Sequence, residues 1–404
     1  MSSESKLLKE QYNISKELLG FTLAELQENE GYLTAKEIAQ QPRLWQKTWQ
    51  LVYENKEKLS DFLRSAFAED SLTVVLTGAG TSAFIGNVLQ GPFQKHTKKT
   101  TTAIATTDLI LHPEQYLNKS ATLLISFARS GDSPESLAAV NIADEYCEKV
   151  YHLIITCNPE GQLALSSVPG KKTALVFLLP PEADDQSLAM TGSFTSMLLA
   201  GLLIARIADI SLLRVQVDTL SQFGENILEN YSQPLRSAAR LDFQRVVFLG
   251  SGPLRWVANE SDLKVQELTD GTVICKSDSF LGFRHGPKAV INAATLLVYL
   301  FSNNAHVYRY ENDLVKAVSL GERGLYRIGV IETAKKGIDT DLLIELSSNG
   351  ESVDEEMLSV VSVLPAQLLG FYKSLELGLS PDKPSKKETI TRVVRGVTIY
   401  PFSE

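Results

Sequence analysis

Four side chains within one short stretch of the sequence are of types that move protons. Glu260, Lys264 and Glu267 succeed one another at spacings of four and three, and His285 follows them. In a helix, these spacings place the three charged groups on one face. A carboxylate can take and return a proton, and a histidine does so near neutral pH. The stretch therefore suggests proton transfer, although such a row of charges is also typical of a solvated helix surface.

Small and hydroxyl-bearing residues fall at two predicted strand-to-helix turns. The turns contain Gly80, Thr81 and Ser82 in the first case and Arg129, Ser130, Gly131 and Ser133 in the second. A helix N-terminus offers unpaired N–H groups and the positive end of the helix dipole, and small residues allow a close approach. The two turns together predict a phosphate site, although a serine in such a place can simply cap its own helix.

The first turn does not match the known nucleotide-binding patterns. Its sequence, G-A-G-T-S-A, lacks the third glycine of the dinucleotide fingerprint at its proper place, and no Lys-Ser or Lys-Thr pair completes a P-loop. A dinucleotide or a nucleoside triphosphate is therefore not expected. The predicted ligand is a small molecule that carries a phosphate.

Short apolar runs alternate with helical patterns from Thr73 onward. Runs such as TVVLTG and ATLLISF, rich in β-branched and apolar residues, indicate parallel strands covered by helices on both faces. Such sheets bind ligands at the carboxyl ends of their strands, where both turns lie. Residues 1 to about 70 instead show apolar positions at helical spacing, including Trp45 and Trp49, and predict a helical N-terminal extension.

The second half of the chain repeats the first. The run from Thr73 to Gly80 matches the run from Arg245 to Gly252, and ATLLI at 121–125 matches ATLLV at 294–298. The two matches have nearly the same offset, which predicts two successive α/β units joined near residues 211–240. The copies differ after these runs, where the first has the serine-rich turn and the second has SNNAHVYRYEND. Only the first copy keeps a turn suited to phosphate.

The composition argues against several classes of partner. The 404 residues carry a net charge of −9, which disfavours a large nucleic-acid interface or an anionic membrane surface. The three cysteines, Cys147, Cys157 and Cys275, are isolated and fit neither a zinc site nor a disulfide framework. We find no metal site, signal peptide or membrane span in the sequence, and we therefore expect a cytoplasmic protein.

These motifs, in this order, resemble the sugar isomerase (SIS) family. The resemblance covers roughly residues 70 to 400 and rests on GTS at 80–82, RSGDS at 129–133, ESDLKVQE at 260–267 and RHGP at 284–287. It implies an α/β fold of two tandem SIS subdomains, each a parallel sheet with flanking helices in a flavodoxin-like three-layer arrangement. The implied boundaries are 1–70 for the extension, 71–212 and 213–380 for the subdomains, and 381–404 for a tail that closes over the site.

The resemblance assigns the first copy to phosphate binding. Ser82, Ser130 and Ser133, with amides near Arg129, would hold a sugar 6-phosphate. The turn positions Gly80, Thr81 and Gly131 belong to the same expected site. In the tail, Arg395 occupies the family's lysine position; it keeps the charge and could orient the ligand, but it cannot form a Schiff base. Ala128 stands where many relatives have serine, which puts one phosphate contact in doubt.

The resemblance assigns the second copy to the chemistry. Glu267 would move the proton between C2 and C1, and Lys264 and Glu260 would lie beside the reacting carbons. His285 would open the sugar ring, and in this family the histidine reaches the site from a neighbouring subunit. A homo-oligomer, at least a dimer, is therefore expected.

The motif order is similar to the isomerase half of glucosamine-6-phosphate synthase, but the glutamine-splitting domain of that enzyme is replaced by the helical extension. The resemblance thus implies a deaminating isomerase of an amino sugar 6-phosphate, with the greatest similarity to the subgroup that converts galactosamine 6-phosphate to tagatose 6-phosphate and ammonia. No metal or organic cofactor is required. Two alternatives stay open, namely a ketose/aldose isomerase of an unaminated hexose 6-phosphate and a regulatory protein that only binds a sugar phosphate.

Overall fold

The N-terminal segment consists of a short hairpin followed by helices. The computed structural model describes residues 17–166, 173–394 and 396–401. Strands β1 (Glu17–Leu18) and β2 (Phe21–Thr22) pair antiparallel. The helices that follow are Leu23–Glu28, Tyr32–Ala39, Gln41–Glu54 and Lys56–Phe67. Helical periodicity predicts these helices, whereas nothing in the sequence pattern indicates the hairpin.

The first sheet is entirely parallel. Its strands are β3 (Thr73–Gly78), β4 (Thr101–Ala105), β5 (Ala121–Ala128), β6 (Lys149–Thr156) and β7 (Ala174–Leu178). They are ordered β4-β3-β5-β6-β7 across the sheet. The surrounding helices are Thr81–Thr97, Thr106–Leu109, Pro113–Tyr116, Pro134–Tyr146, Gln162–Ser166 and Gly192–Ala205.

The second sheet has the same topology as the first. Its strands are β8 (Arg245–Gly250), β9 (Ile274–Ser279), β10 (Thr295–Leu300), β11 (Tyr326–Ile331) and β12 (Leu342–Glu345), ordered β12-β11-β10-β8-β9. Read from the other edge, this is the flavodoxin-like order 2-1-3-4-5, which the first sheet also follows. The predicted fold of two tandem α/β units is confirmed.

Helices connect and cover the second sheet. Leu213–Asn226, a π-helical turn at Ile227–Tyr231 and Ser232–Ala239 precede it, which agrees with the predicted helical junction. The remaining helices are Pro253–Leu268, Phe280–Phe283, Ala305–Ser319, Glu355–Val361 and Leu364–Glu376. The stretch Glu355–Glu376 is apolar and long enough to cross a membrane, but 94% of it is buried inside the structure, as in the core helix of a globular protein.

The repeat extends to the backbone of the first turn in each unit. Gly80 precedes the helix Thr81–Thr97 with φ 56° and ψ −126°, and Gly252 precedes the helix Pro253–Leu268 with φ 54° and ψ −128°. Residues with a side chain rarely adopt this conformation, so glycine is needed at both positions. The strand therefore turns into its helix in the same way in each copy.

Alternate residues of the central strands point to opposite sides of each sheet. Val74 and Leu76 of the first sheet and Val246 and Phe248 of the second all belong to one buried core that the two sheets share. Val75, between the first two, instead joins a separate cluster on the outer face of its sheet. Both faces of each sheet are therefore buried, as the continuous apolar runs predict.

The N-terminal helices are part of the shared core. Trp45 is completely buried, and the indole N–H of Trp49 donates to the carbonyl of Ile210 at 2.9 Å. The amide of Gln41 donates to Gln367 Oε1 at 2.6 Å, and its oxygen accepts from the hydroxyl of Thr195 at 2.8 Å. These buried hydrogen bonds join the segment to helices on both sides of the repeat.

The second copy carries a carboxylate where the first copy has its serine-rich turn. The N–H of Ser302, which occupies the repeat position of Arg129, donates to Glu311 Oε2 at 2.9 Å. Glu311 is completely buried, and burial raises its pKa from the usual 4.5 to about 7. In the second copy, a carboxyl of the chain itself therefore occupies a backbone N–H of this turn.

We expect Glu311→Gln to stabilise the protein at alkaline pH. A carboxyl with a higher pKa in the folded than in the unfolded state binds more protons when folded, so the free energy of unfolding falls as the pH rises through about 7. The amide avoids this loss, and we expect a gain on the order of 1 to 3 kcal/mol at pH 8 and none at pH 5. Denaturant unfolding across this pH range measures it. Glu351→Gln, at an exposed position, is the control, and parallel pH profiles for Glu311→Gln and the native chain would contradict the expectation.

Candidate active site

The two hydroxyl-rich turns meet at the carboxyl edge of the first sheet. One joins β3 to the helix Thr81–Thr97, and the other joins β5 to the helix Pro134–Tyr146. Between them is a cavity of about 110 Å³. Its lining residues are Ala79, Ser82, Phe127, Ala128, Arg129, Ser130, Gly131, Ser133, Ser136, Met190, Arg392, Val393 and Val394. Both turns and the C-terminal tail therefore line the same cavity.

The serines of the second turn cap their own backbone and also line the cavity. Ser133 Oγ accepts from the N–H of Ser136 at 3.2 Å, and the two hydroxyl oxygens are 2.7 Å apart. Ser130 Oγ accepts from the N–H of Asp132 at 3.3 Å. The capping role that the sequence left open is therefore present. The hydroxyl of Ser130 and one hydroxyl of the Ser133–Ser136 pair keep a hydrogen to donate, so capping and anion binding are compatible.

The three residues of the first turn have different roles. Ser82 is buried and lines the cavity, whereas Gly80 supplies only the backbone conformation at the helix start. The hydroxyl of Thr81 faces away from the cavity lining and contacts the second unit, where it receives a hydrogen bond from Lys264 Nζ at 3.1 Å. Gly78 must also lack a side chain, because a Cβ there would lie 2.6 Å from the backbone of Ser82.

The side chain of Arg129 donates hydrogen bonds to three backbone carbonyls. Its guanidinium donates to the carbonyls of Ser187 at 3.4 Å, Leu188 at 3.1 Å and Arg392 at 2.6 Å. Burial lowers the pKa of this guanidinium, and the charges of Asp185 and, more weakly, Glu267 oppose that effect. Arg129 therefore ties its turn to the tail, and its backbone is the part available to a ligand.

The three charged residues of the second unit form one contiguous group. They lie on the helix Pro253–Leu268, which we call the Glu-Lys-Glu helix and which packs against the helix Thr81–Thr97. Lys264 Nζ is 2.6 Å from Glu267 Oε2 and 3.4 Å from Glu260 Oε1. Glu260 Oε1 also accepts from the hydroxyl of Thr81 at 3.3 Å. The predicted common face is confirmed.

Burial shows that this face is not a solvated surface. The side chains of Glu260 and Lys264 are 0% exposed, and that of Glu267 is 22% exposed. Buried charges occur in proteins when they are paired, and here Lys264 pairs with both glutamates of its own helix while the hydroxyl of Thr81 from the first unit adds hydrogen bonds. Glu267 alone retains access from outside, so it is the member of the group that can meet a ligand.

The environment shifts the pKa values of Glu260 and Lys264. Burial raises the pKa of Glu260 to about 8, even though the nearby Lys264 lowers it. Burial also disfavours the charge of Lys264, but Glu260 and Glu267 outweigh it and raise the pKa of the ammonium above its usual value. Near neutral pH, Glu260 is thus predominantly neutral and Lys264 is a cation. Glu260 Oε2 has no hydrogen-bond partner among the residues that the structure describes.

The structure does not bring His285 to this group within one chain. The residue lies on an exposed turn after the helix Phe280–Phe283, where its backbone N–H donates to the carbonyl of Gly282 at 2.9 Å. Across residues 17–166, 173–394 and 396–401, its imidazole forms no hydrogen bond or ion pair. Arg395 lies outside the described residues. Its neighbours 392–394 cover the cavity, as the resemblance to a closing tail implies.

Comparison with known proteins agrees with the geometry. The SIS domain model matches residues 66–206. A D-galactosamine-6-phosphate deaminase from Shewanella sp. (strain ANA-3) is 39% identical over 375 residues, covering 92% of both chains. The chain belongs to the SIS family. In solved structures, the tagatose-6-phosphate ketose/aldose isomerase from Escherichia coli superposes with a TM-score of 0.82 at 33% identity, covering 92% of this chain and 97% of that one. A crystal structure from Clostridium novyi NT, provisionally given the same isomerase name, superposes with a TM-score of 0.93 at 40% identity. This match covers 96% of this chain and 100% of that one.

Several residues at this SIS site escaped the sequence analysis. Ser136 lies one turn into its helix and shares a hydrogen bond with Ser133, a position that the serine-rich pattern itself could have indicated. Arg392 and Met190 line the cavity from segments far from both turns, and no local pattern marks them. Their place in the SIS site depends on long-range packing alone.

Proposed function

We propose that this SIS chain converts galactosamine 6-phosphate to tagatose 6-phosphate and ammonia. The observation that carries the proposal is the buried Glu260–Lys264–Glu267 group, joined through Thr81 to the turn that lines the phosphate cavity. It provides a carboxylate beside a site for an anionic group. The deaminase and isomerase names of the relatives point to the same substrate class. We further propose a cytoplasmic location, from the charge and the cysteine pattern.

The phosphate binds in the cavity of the first unit. Ser82, Ser130 and Ser133 present hydroxyls, and the helices that begin at Thr81 and Pro134 present backbone N–H groups and the positive ends of their dipoles. Arg129 supplies positive charge nearby while it holds the tail by its carbonyl contact to Arg392. These contacts leave the sugar carbons C1 and C2 pointing toward the second unit.

Glu267 acts as the base. With the ring open, its carboxylate removes the proton from C2, the electron pair forms a double bond between C1 and C2, and the C1 oxygen takes a proton from water, which gives an enolamine. The same carboxyl then returns the proton to C1 while the C2 nitrogen releases a proton to water, which produces an imine at C2. Water adds to the imine and ammonia leaves, giving the ketose 6-phosphate.

Lys264 and Glu260 prepare Glu267 for this transfer. The ammonium of Lys264 is 2.6 Å from Glu267 and orients its carboxylate, while its other contacts, to Thr81 and Glu260, prevent it from moving toward solvent. Glu260, neutral near pH 7, adds no second negative charge beside the base. The contacts of Lys264 therefore hold the carboxyl of Glu267 in a fixed position.

His285 opens the sugar ring in the site of a neighbouring subunit. Its exposure and its lack of side-chain partners in the described parts of its own chain are what such a role requires. A homodimer is then the smallest active form. Arg395, at the tail position, closes over the bound sugar as a fixed positive charge.

A panel of substrates tests the reaction. Purified protein is offered galactosamine, glucosamine, N-acetylgalactosamine and unaminated tagatose and galactose as their 6-phosphates, and ammonia and ketose are measured separately. We expect equal amounts of ammonia and ketose from galactosamine 6-phosphate. The isomerase names of the structural relatives support plain ketose/aldose isomerisation as the second candidate, and turnover of unaminated sugars alone would favour it.

A further inference from the structure

The loop at residues 184–191 forms the back of the phosphate cavity. It connects β7, through a short 3₁₀ turn, to the helix Gly192–Ala205, and its Met190 lines the cavity. The carboxylate of Asp185 is completely buried and accepts from the N–H groups of Thr191 and Ser193, each at 2.8 Å. The loop is therefore fixed at the start of that helix.

Two arginines that line the cavity donate hydrogen bonds to carbonyls of this loop. Arg129, from the serine-rich turn, donates to the carbonyls of Ser187 and Leu188. Arg392, from the tail, donates through Nε to the carbonyl of Asp185 at 2.8 Å. The orientation of these loop peptides therefore affects the positions of both the serine-rich turn and the tail.

Glu37, from the helix Tyr32–Ala39 of the N-terminal segment, holds the other side of the same peptides. Its Oε1 accepts from the N–H of Gln186 at 2.6 Å and of Ser187 at 3.2 Å, and its second oxygen accepts from the Ser187 hydroxyl. Glu37 is 5% exposed, so these bonds are shielded from water. Burial and the charge of Asp185 raise the pKa of Glu37 to about 7, and the hydrogen bonds from Ser187 and Gln186 act in the opposite direction by favouring the ionised carboxylate.

A rigid peptide bond transmits this contact to Arg392. The carbonyl of Asp185 and the N–H of Gln186 belong to one planar unit, with Arg392 on the oxygen and Glu37 on the nitrogen. Fixing the N–H therefore fixes the direction of the carbonyl. Glu37 also accepts from the N–H of Ser187, and the carbonyl of the same residue, which belongs to the following peptide unit, accepts from Arg129.

We propose that Glu37 is a positioning residue, through which the N-terminal helical segment aligns the serine-rich turn and the C-terminal tail around the bound phosphate. This inference rests on the proposed phosphate role of the cavity. The inference gives the N-terminal segment a part in substrate binding. Among the described residues, this segment contributes none to the lining of the cavity. The ligand class is the phosphate end of the sugar, and the reacting carbons are not touched.

Binding of inorganic phosphate, measured by calorimetry, tests the inference without requiring turnover. We expect Glu37→Ala to weaken phosphate binding by about tenfold and to raise KM for galactosamine 6-phosphate similarly, with kcat changed by less than about threefold. Trypsin cleavage of the tail, at residues 386–392, should become faster and lose its protection by phosphate. Glu37→Gln, which retains an oxygen for the Gln186 N–H, should recover most of the binding.

Two further variants separate positioning from a general loss of stability. Glu182→Gln removes the exposed ion pair between Lys47 and Glu182, which lies just before the loop, and it should leave phosphate affinity unchanged. Arg392→Ala should weaken binding by itself, and the loss in the double variant with Glu37→Ala should be smaller than the sum of the two single losses, because part of the effect of Arg392 depends on the Asp185 carbonyl that Glu37 orients.

Each outcome decides the inference. Glu37→Ala with native phosphate affinity and KM, or losses that simply add in the double variant, overturns the positioning role while leaving the proposed reaction intact. If Glu37→Ala is too unstable to purify, Ser187→Ala, which removes only the hydroxyl contact, must show the same change in smaller measure. Failure of the native protein to bind phosphate at all would overturn the phosphate site and the inference together.

Discussion

Glu267→Gln is expected to lower kcat by about a thousandfold or more while KM changes little. The amide retains the shape of the side chain and an oxygen near Lys264, but it cannot take the proton from C2. Because the proposed phosphate site lies in the first unit, substrate affinity should remain. Steady-state kinetics with galactosamine 6-phosphate measures the loss, and exchange of the C2 hydrogen with deuterated solvent shows whether proton removal itself has stopped.

A matched control exists on the same helix. Asp262 is another carboxylate of the Glu-Lys-Glu helix, but it accepts from the hydroxyl of Ser277 at 3.0 Å and takes no part in the Lys264 group. Asp262→Asn makes the same chemical change and should leave kcat within a few-fold of the native value. Retention of C2 exchange at the native rate in Glu267→Gln would remove this residue from the role of base.

Mixing two inactive variants is expected to restore activity. If His285 serves the site of its neighbour, a dimer of one Glu267→Gln and one His285→Asn subunit contains one site with both native residues and one with neither. Random reassociation of equal amounts should then recover about a quarter of the native activity in a symmetric dimer. The measurement is the activity after the two purified variants are mixed, unfolded together and refolded.

The alternative arrangement has a different outcome. If His285 acts within its own chain, every site in the mixed dimer lacks one of the two residues, and no activity returns. Refolding each variant alone provides the baseline, and refolding the native protein gives the recoverable maximum. Persistent inactivity of the mixture, with native protein recovering well, would therefore contradict the shared site.

The strands and the repeat could be predicted well because their signals are local. Continuous apolar runs such as residues 73–78 are suited to a strand buried on both faces, whatever surrounds it. Gly80 and Gly252 mark turns that require the same unusual backbone conformation. The common face of Glu260, Lys264 and Glu267 follows from helical geometry alone. The family motifs then extended these local signals to a reaction.

The ambiguous positions were those where one residue type serves two purposes. Ser133 caps its helix and also lines the cavity, so its capping role is confirmed and its phosphate contact stays a prediction. A charged row on a helix can be solvated or buried, and only the neighbouring helix Thr81–Thr97 decides between them. Sequence spacing specifies which side chains share a face but not what covers that face.

The fold class, the two copies, the two turns and the order of the charged residues could be inferred from the chain alone, because periodicity, turn residues and motif spacing are local patterns. The full burial of Glu260 and Lys264, the hydrogen bond from Arg129 to the tail and the contact of Glu37 with the loop at residues 184–191 became evident only in the folded molecule. These contacts join segments far apart in sequence, and their energies depend on burial and charge pairing that no local pattern encodes. The physical reason is that side-chain chemistry is local, whereas the environment that sets its protonation and position is made by the whole fold.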